Sequence, residues 1–116
     1  MPHDPRKALE DMRQAAEFLL QVTAGRSLDE YRVDEILRCV VERKFEIIGE
    51  GLKRLQKANP SMAAQIPEQR DIISFRNVLI HGYDVIDDEV VWNIVQNDLP
   101  TLKQRIEELL ASFNAP

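Results

Sequence analysis

Apolar residues in this chain recur every three or four positions from near one end to the other, and nowhere do they alternate with polar ones over the length of a strand. A spacing near 3.6 collects side chains on one face of an α-helix, whereas a half-buried strand needs a period of two. The β-branched pairs Ile47-Ile48, Ile72-Ile73 and Val90-Val91 fit the helical period as well. The pattern therefore predicts an all-α fold. A chain of 116 residues can surround one hydrophobic core but not two independent ones, so a single domain over 1–116 is expected.

Local signals divide the chain into helices. Asp4 followed by Pro5 has the chemistry of an N-cap and first helical position, and the stripe Ala8, Leu9, Met12, Ala15, Ala16, Leu19 and Val22 runs to a stop at Gly25. Ser27 with Glu30 has capping-box spacing and should start a short turn that carries Leu28 and Tyr31 inward. From about 33 to 57 a long helix bears Ile36, Leu37, Val40, Val41, Phe45, Ile47, Ile48, Leu52 and Leu55, more than one stripe, which predicts neighbours on several sides. Gly49 and Gly51 lie inside it, each at a propensity cost of about 1 kcal/mol relative to alanine. Two readings offset that cost: a close helix approach across a dimer interface, or ordinary packing within the chain.

Asn59-Pro60-Ser61 ends the long helix, and a loop with one turn near Met62 should lead to Pro67, placed to open a third helix. Ile72, Ile73, Phe75, Leu79 and Ile80 anchor that helix, and Gly82 offers its exit. Asp87 or Asp88 can cap a final region carrying Val90, Val91, Ile94, Val95, Leu102, Ile106, Leu109 and Phe113, in which Pro100 predicts a kink or break. The expected architecture is an antiparallel bundle of four or five helices.

Several function classes drop out. There is no Gly-rich phosphate loop, no Cys/His cluster at metal-ligand spacing and no Gly-x-Ser-x-Gly elbow, so neither a metal site nor a cofactor is expected. No apolar run exceeds three residues, and Met1-Pro2-His3-Asp4 lacks the regions of a signal peptide, so a cytoplasmic protein with no membrane role is expected. Cys39, the lone cysteine, neighbours Val40 and Val41, which predicts a buried, reduced thiol. A net charge of −5 argues against broad coating of nucleic acid but leaves room for a local basic pocket.

The segment Arg76-Asn77-Val78-Leu79-Ile80-His81-Gly82-Tyr83 carries the chemistry, because polar groups interrupt an apolar helix there. Imidazole takes up and releases protons at neutral pH, and a guanidinium fork holds a phosphate through paired hydrogen bonds while stabilising charge that develops in a transition state. That pairing suits phosphodiester cleavage by Arg76 and His81. Asn77 could orient the imidazole or the phosphate, and Tyr83 could bind phosphate or stack on a base. On a regular helix Asn77 and His81 share a face, but Arg76 and His81 differ by about 140° in azimuth. A joint pocket then needs either a deformed helix end or a second subunit.

This segment resembles the R-N-x-L-x-H-G-Y block, built on an R-x-x-x-x-H-x-Y motif, of HepT-like toxins in the HEPN superfamily of small helical ribonucleases. Glu46-Ile47-Ile48-Gly49-Glu50 resembles the same family's I-G-E signature, and Ile86-Asp87, Val91, Trp92, Ile94 and Asp98-Leu99-Pro100 resemble its closing helix. Gly51, often alanine in the family, and the loop before Pro67 depart from the pattern. The resemblance implies a HEPN-like bundle acting as a metal-independent endoribonuclease, a homodimer whose two motifs face one cleft that receives RNA. It gives catalysis to Arg76 and His81, with Asn77 in support. It also implies a toxin-antitoxin module in which a minimal nucleotidyltransferase antitoxin of MntA type transfers AMP from ATP to Tyr83 and silences the ribonuclease. The acidic run Asp84, Asp87, Asp88 and Glu89 either recruits a basic partner or simply caps and solvates a helix. The rival reading is a noncatalytic helical adaptor that binds a nucleotidyltransferase. The reverse role of antitoxin fits poorly, since the Gly-Ser and paired-aspartate pattern of a nucleotidyltransferase is missing.

Overall fold

The computed structural model describes residues 4–66, 69–82 and 86–113, and every regular element among them is helical. The elements are α1 (Pro5–Thr23), α2 (Leu28–Val33), α3 (Glu35–Ala58), α4 (Pro60–Ala63), α5 (Gln69–His81), α6 (Asp88–Asn93) and α7 (Leu99–Ser112), with a π-helical turn (Ile94–Asp98) joining the last two. Short polar side chains start most of them. Asp4 accepts the Arg6 N–H at 2.9 Å with Pro5 behind it, and Asp87 accepts the Glu89 N–H at 2.9 Å. Ser27 and Glu30 close a reciprocal capping box, each bond 3.1 Å. Gly25 adopts a φ of +72°, the left-handed geometry that lets the chain leave α1.

Two residues each serve two helices. Asp34 ends α2 and caps α3 by accepting the Leu37 N–H at 3.0 Å, and Asn59 ends α3 and caps α4 by accepting the Met62 N–H at 3.1 Å. Such sharing removes loop residues and fixes the angle between successive helices. Pro67, the expected start of the third helix, lies outside the described residues.

Side-chain pairings give the direction of each packed pair. Arg54 binds Asp11 at 2.9 Å near one end of the α1–α3 contact, and Lys44 sits 4.7 Å over the Phe18 ring near the other, so these helices run antiparallel. Gln56–Gln69, Phe45–Phe75 and Glu50–Arg76 order α3 against α5 in the same sense. Arg6 lies 5.0 Å over the Phe113 ring, which sets α7 antiparallel to α1. Four rods, α1, α3, α5 and α6–α7, therefore make the expected all-α antiparallel bundle around a core that includes Leu9, Met12, Leu19, Val41, Ile48, Leu52 and Ile106.

The two glycines of α3 face different neighbours. A Cβ on Gly51 would stand 2.6 Å from the Met12 Cγ of α1, and one on Gly49 would stand 2.4 Å from the Arg76 Cβ of α5. Both close approaches are made within one chain, which settles the packing of these glycines without a second subunit. α3 has the expected neighbours on several sides, α1 and α5 along its length with α2 and α4 against it, but one side stays open: Ile36 is 79% exposed, and Cys39 is exposed rather than buried. Cys39 follows buried Leu37 by two residues, about 200° around the helix, and so points away from the core. Ile80, expected as an anchor of α5, is exposed too.

Pro100 does not break the last rod; it stands in the first turn of α7, directly after the π-helical turn. The Leu99 N–H reaches back five residues to the Ile94 carbonyl, so a wider turn precedes the proline and takes up the missing donor. Buried Val91, Val95 and Leu99 are spaced by four, and over eight residues an ideal α-helix would rotate the last about 80° away from the first. The wider turn offsets that drift, and α7 keeps Leu102, Ile106 and Leu109 on the core side.

Beside the Tyr31–Trp92 ring pair, centroids 5.2 Å apart, Glu42 is half-buried. Burial, then the charge of Asp88, raises its pKa above the ordinary 4.5, against a smaller opposing effect of Arg38. The Tyr31 hydroxyl is likewise pushed up, first by burial and then by Glu42 and Asp88.

A Gly49→Ala chain should unfold at a lower urea midpoint, because overpacking costs about 1–3 kcal/mol while the better helix propensity of alanine returns only about 1 kcal/mol. An unchanged midpoint would mean that α5 can shift off α3 freely. For Glu42 the ionised form is less favourable in the folded chain than in the unfolded one. That penalty is absent below the ordinary value of 4.5, grows as pH rises toward the elevated folded value, and is complete above it. Glu42→Gln should therefore melt above wild type at neutral pH, with the difference closing as the pH falls below 4.5; a difference independent of pH would contradict this origin.

Candidate functional site

α5 presents Arg76 to α3 because Gly49 leaves room for it. With no Cβ at position 49, the Arg76 stem lies directly on the α3 backbone, and its side chain is only 18% exposed. The guanidinium then extends over the next residue of α3. Its Nη2 donates to the Glu50 Oε2 at 2.6 Å and its Nη1 to the Asn77 Oδ1 at 3.1 Å, while the buried Nε–H meets no acceptor among the described residues.

An open groove surrounds this head group. α3 contributes Arg43, Glu46, Glu50 and Arg54, and α5 contributes Arg76 and Ile80. Arg43 pairs with Glu46 at 3.1 Å and Arg54 with Asp11 at 2.9 Å, so every arginine of the groove has a carboxylate beside it. An acidic chain thus holds a local row of guanidinium groups, each paired with a carboxylate.

His81 is the last residue of α5, and it is exposed. The Gly82 N–H bonds to the Val78 carbonyl at 2.7 Å, so the helix stays regular through the histidine. Arg76 and His81 are therefore about 7.5 Å apart along the axis and about 140° apart around it, one turned toward α3 and the other toward solvent. The helix end is not deformed, so one chain by itself does not bring Arg76 and His81 into one pocket. Asn77 is exposed, and its amide oxygen holds Arg76 rather than the imidazole.

Tyr83 and Asp84 lie outside the described residues, as does His3. Of the rest of the acidic run, Asp87 caps α6 and Glu89 stands 3.6 Å from Arg32. Among the described residues no group of three or more His, Cys, Asp or Glu side chains is arranged to hold a metal ion, and no helix is long and apolar enough to cross a membrane.

Sequence reasoning noticed the I-G-E stretch but gave Glu50 no task, and it passed over Arg43 and Arg54. A signal was present for the arginines, since positions 43, 50 and 54 fall on one stripe of a helix. Nothing in the local sequence connects Glu50 to a residue on another helix.

Proteins of known description extend the picture. The family profile described as Ribonuclease HepT-like matches residues 12–109. A protein of Caldanaerobacter subterraneus subsp. tengcongensis named "Putative RNase" is 31% identical over 106 residues, covering 91% of this chain and 94% of its own. "Probable ribonuclease HepT" of Thermococcus cleftensis is 31% identical over 109 residues, 94% of this chain and 98% of its own. A further "Putative RNase" from Methanocaldococcus jannaschii is 29% identical over 104 residues, 90% of this chain and 94% of its own. No solved structure matches the chain. With the profile spanning Arg76, His81 and the α3 signature together, the chain belongs to the HepT-like ribonuclease family.

Proposed function

We propose that this protein is the toxin of a toxin-antitoxin pair, a metal-independent endoribonuclease that cuts RNA in a cleft between two copies of the chain. The observation that carries this reading is the placement of Arg76, half-buried on α3 with part of its guanidinium uncommitted, on the same rigid helix as an exposed His81. One chain turns these groups to different sides, and a second copy against α5 would bring each histidine toward the other chain's arginine. Val78 and Ile80, 43% and 37% exposed on either side of buried Leu79, supply apolar surface for such a contact.

Without a metal-bound hydroxide, the nucleophile at hand is the 2′-hydroxyl of the RNA itself. One His81 imidazole takes its proton as the new P–O2′ bond forms, and the other gives a proton to the departing 5′-oxygen as the P–O5′ bond breaks. The products are a 2′,3′-cyclic phosphate and a 5′-hydroxyl. Arg76 stabilises the negative charge that builds on the phosphoryl oxygens. Silencing is by a minimal nucleotidyltransferase antitoxin that transfers AMP to Tyr83. The attached nucleotide fills the cleft and sets a phosphate beside Arg76, where it competes with the RNA backbone.

Purified protein should cleave single-stranded RNA in the presence of a chelator, and Arg76→Ala or His81→Ala should each lose about 100-fold or more in kcat, roughly 3 kcal/mol of transition-state stabilisation. Wild-type rates in both variants would defeat the assignment. A dimer that never cuts RNA yet binds a nucleotidyltransferase stably would select the adaptor reading instead. Co-expression with such an enzyme should raise the intact mass by adenylyl groups that map to Tyr83 and vanish in Tyr83→Phe. Full neutralisation of an unmodified chain would replace group transfer by simple binding.

A further inference from the structure

We propose that Glu50 is a positioning residue for the ribonuclease reaction: its carboxylate anchors the Arg76 guanidinium so that the remaining N–H groups face the scissile phosphate. The inference rests on the ribonuclease reading of Arg76 given above.

A guanidinium offers five N–H donors in a planar fork. In Arg76 one from Nη2 goes to Glu50 and one from Nη1 to Asn77, and the Nε–H is buried, so one N–H on each terminal nitrogen is left to bind a phosphate. A long, flexible side chain presents such a pair reliably only if its head is held, and pre-set geometry of this kind is a large part of how electrostatic stabilisation of a transition state becomes effective. Asn77 is the next residue along α5 and moves with Arg76, so it cannot fix the head relative to the groove. Glu50, 26 residues away on α3, is the only contact of that kind among the described residues.

The neighbouring groups leave this role to Glu50. Glu46 is engaged by Arg43 and Asp11 by Arg54, so neither carboxylate is available to take its place. Gly49 and Glu50 act as a unit, the first seating the arginine stem and the second holding its tip. The Glu50 carboxylate is 52% exposed against 18% for the Arg76 side chain, so water screens the pair from the Glu50 side and limits what it adds to folding stability. Its consequence is the direction of the guanidinium.

The test compares wild type with Glu50→Ala and Glu50→Gln on a single-stranded RNA, alongside melting temperature and the 15N relaxation of the Arg76 Nε–H signal. Glu50→Ala should lower kcat by about tenfold or more with KM within about threefold, leave the melting temperature nearly unchanged and make the Arg76 head mobile. Glu50→Gln, which keeps an acceptor oxygen without the charge, should fall between Glu50→Ala and wild type in both kcat and Arg76 mobility. Wild-type or higher kcat in both variants would overturn the proposal, a rise marking Glu50 as a brake. If the wild-type chain cuts no RNA, the ribonuclease reading fails first. The relaxation data then decide alone: a head that stays rigid in Glu50→Ala overturns the anchoring, and one that loosens upholds it.

Discussion

The approach of α5 to α3 at Gly49 controls the geometry of everything on α5. A helix is rigid over a few turns, so once one residue is set against a neighbour, the rest of its face follows at about 100° per residue. Arg76 is the residue so set, with its stem on bare backbone. Leu79 then falls on the core side, while Asn77, Val78 and His81 fall toward solvent. The exposure of the histidine and the half-burial of the arginine are two results of one contact, and they explain why one chain holds these two side chains apart.

The same contact reconciles charge with function. A net charge of −5 is unsuited to gripping RNA along its length. The groove concentrates Arg43, Arg54 and Arg76 on one short face, each balanced by an acidic neighbour. The paired carboxylates keep this face from acting as a broad basic surface, and the positive charge stays confined to the groove.

What could be read in the letters follows the range of the forces involved. Helix starts and stops rest on hydrogen bonds spanning two or three residues, and Asp4, Ser27 with Glu30, Gly25 and Asp87 act where their spacing indicated. The covered side of α3 was harder, because apolar side chains occur around more of the helix than its neighbours occupy. Ile36 and Cys39 look like core residues in the sequence and stand in solvent, since they lie on the one side of α3 that no other helix covers. In the site, Arg76 and His81 could be picked out by their chemistry and their resemblance to a family motif. The hold of Glu50 on Arg76 joins residues far apart in sequence and became visible only when the two helices were placed together. The glycines divide the same way, their cost plain in the sequence and the neighbours that justify it fixed by tertiary packing.

The π-helical turn before Pro100 has a bearing on which changes the C-terminal rod can absorb. Its extra residue acts like a vernier between two scales: upstream, Val91 is aligned with α2 and Trp92 with Tyr31, and downstream, Leu102 and Ile106 are aligned with α1. Side chains on the outer surface of the turn can vary with little effect on this alignment. Removing a single residue there would leave seven residues between Val91 and the leucine that now follows it by eight, about 20° from alignment on an ideal α-helix. The turn can therefore lose its extra residue with the leucines still facing the core, whereas the same deletion inside α7 would rotate everything after it by about 100°.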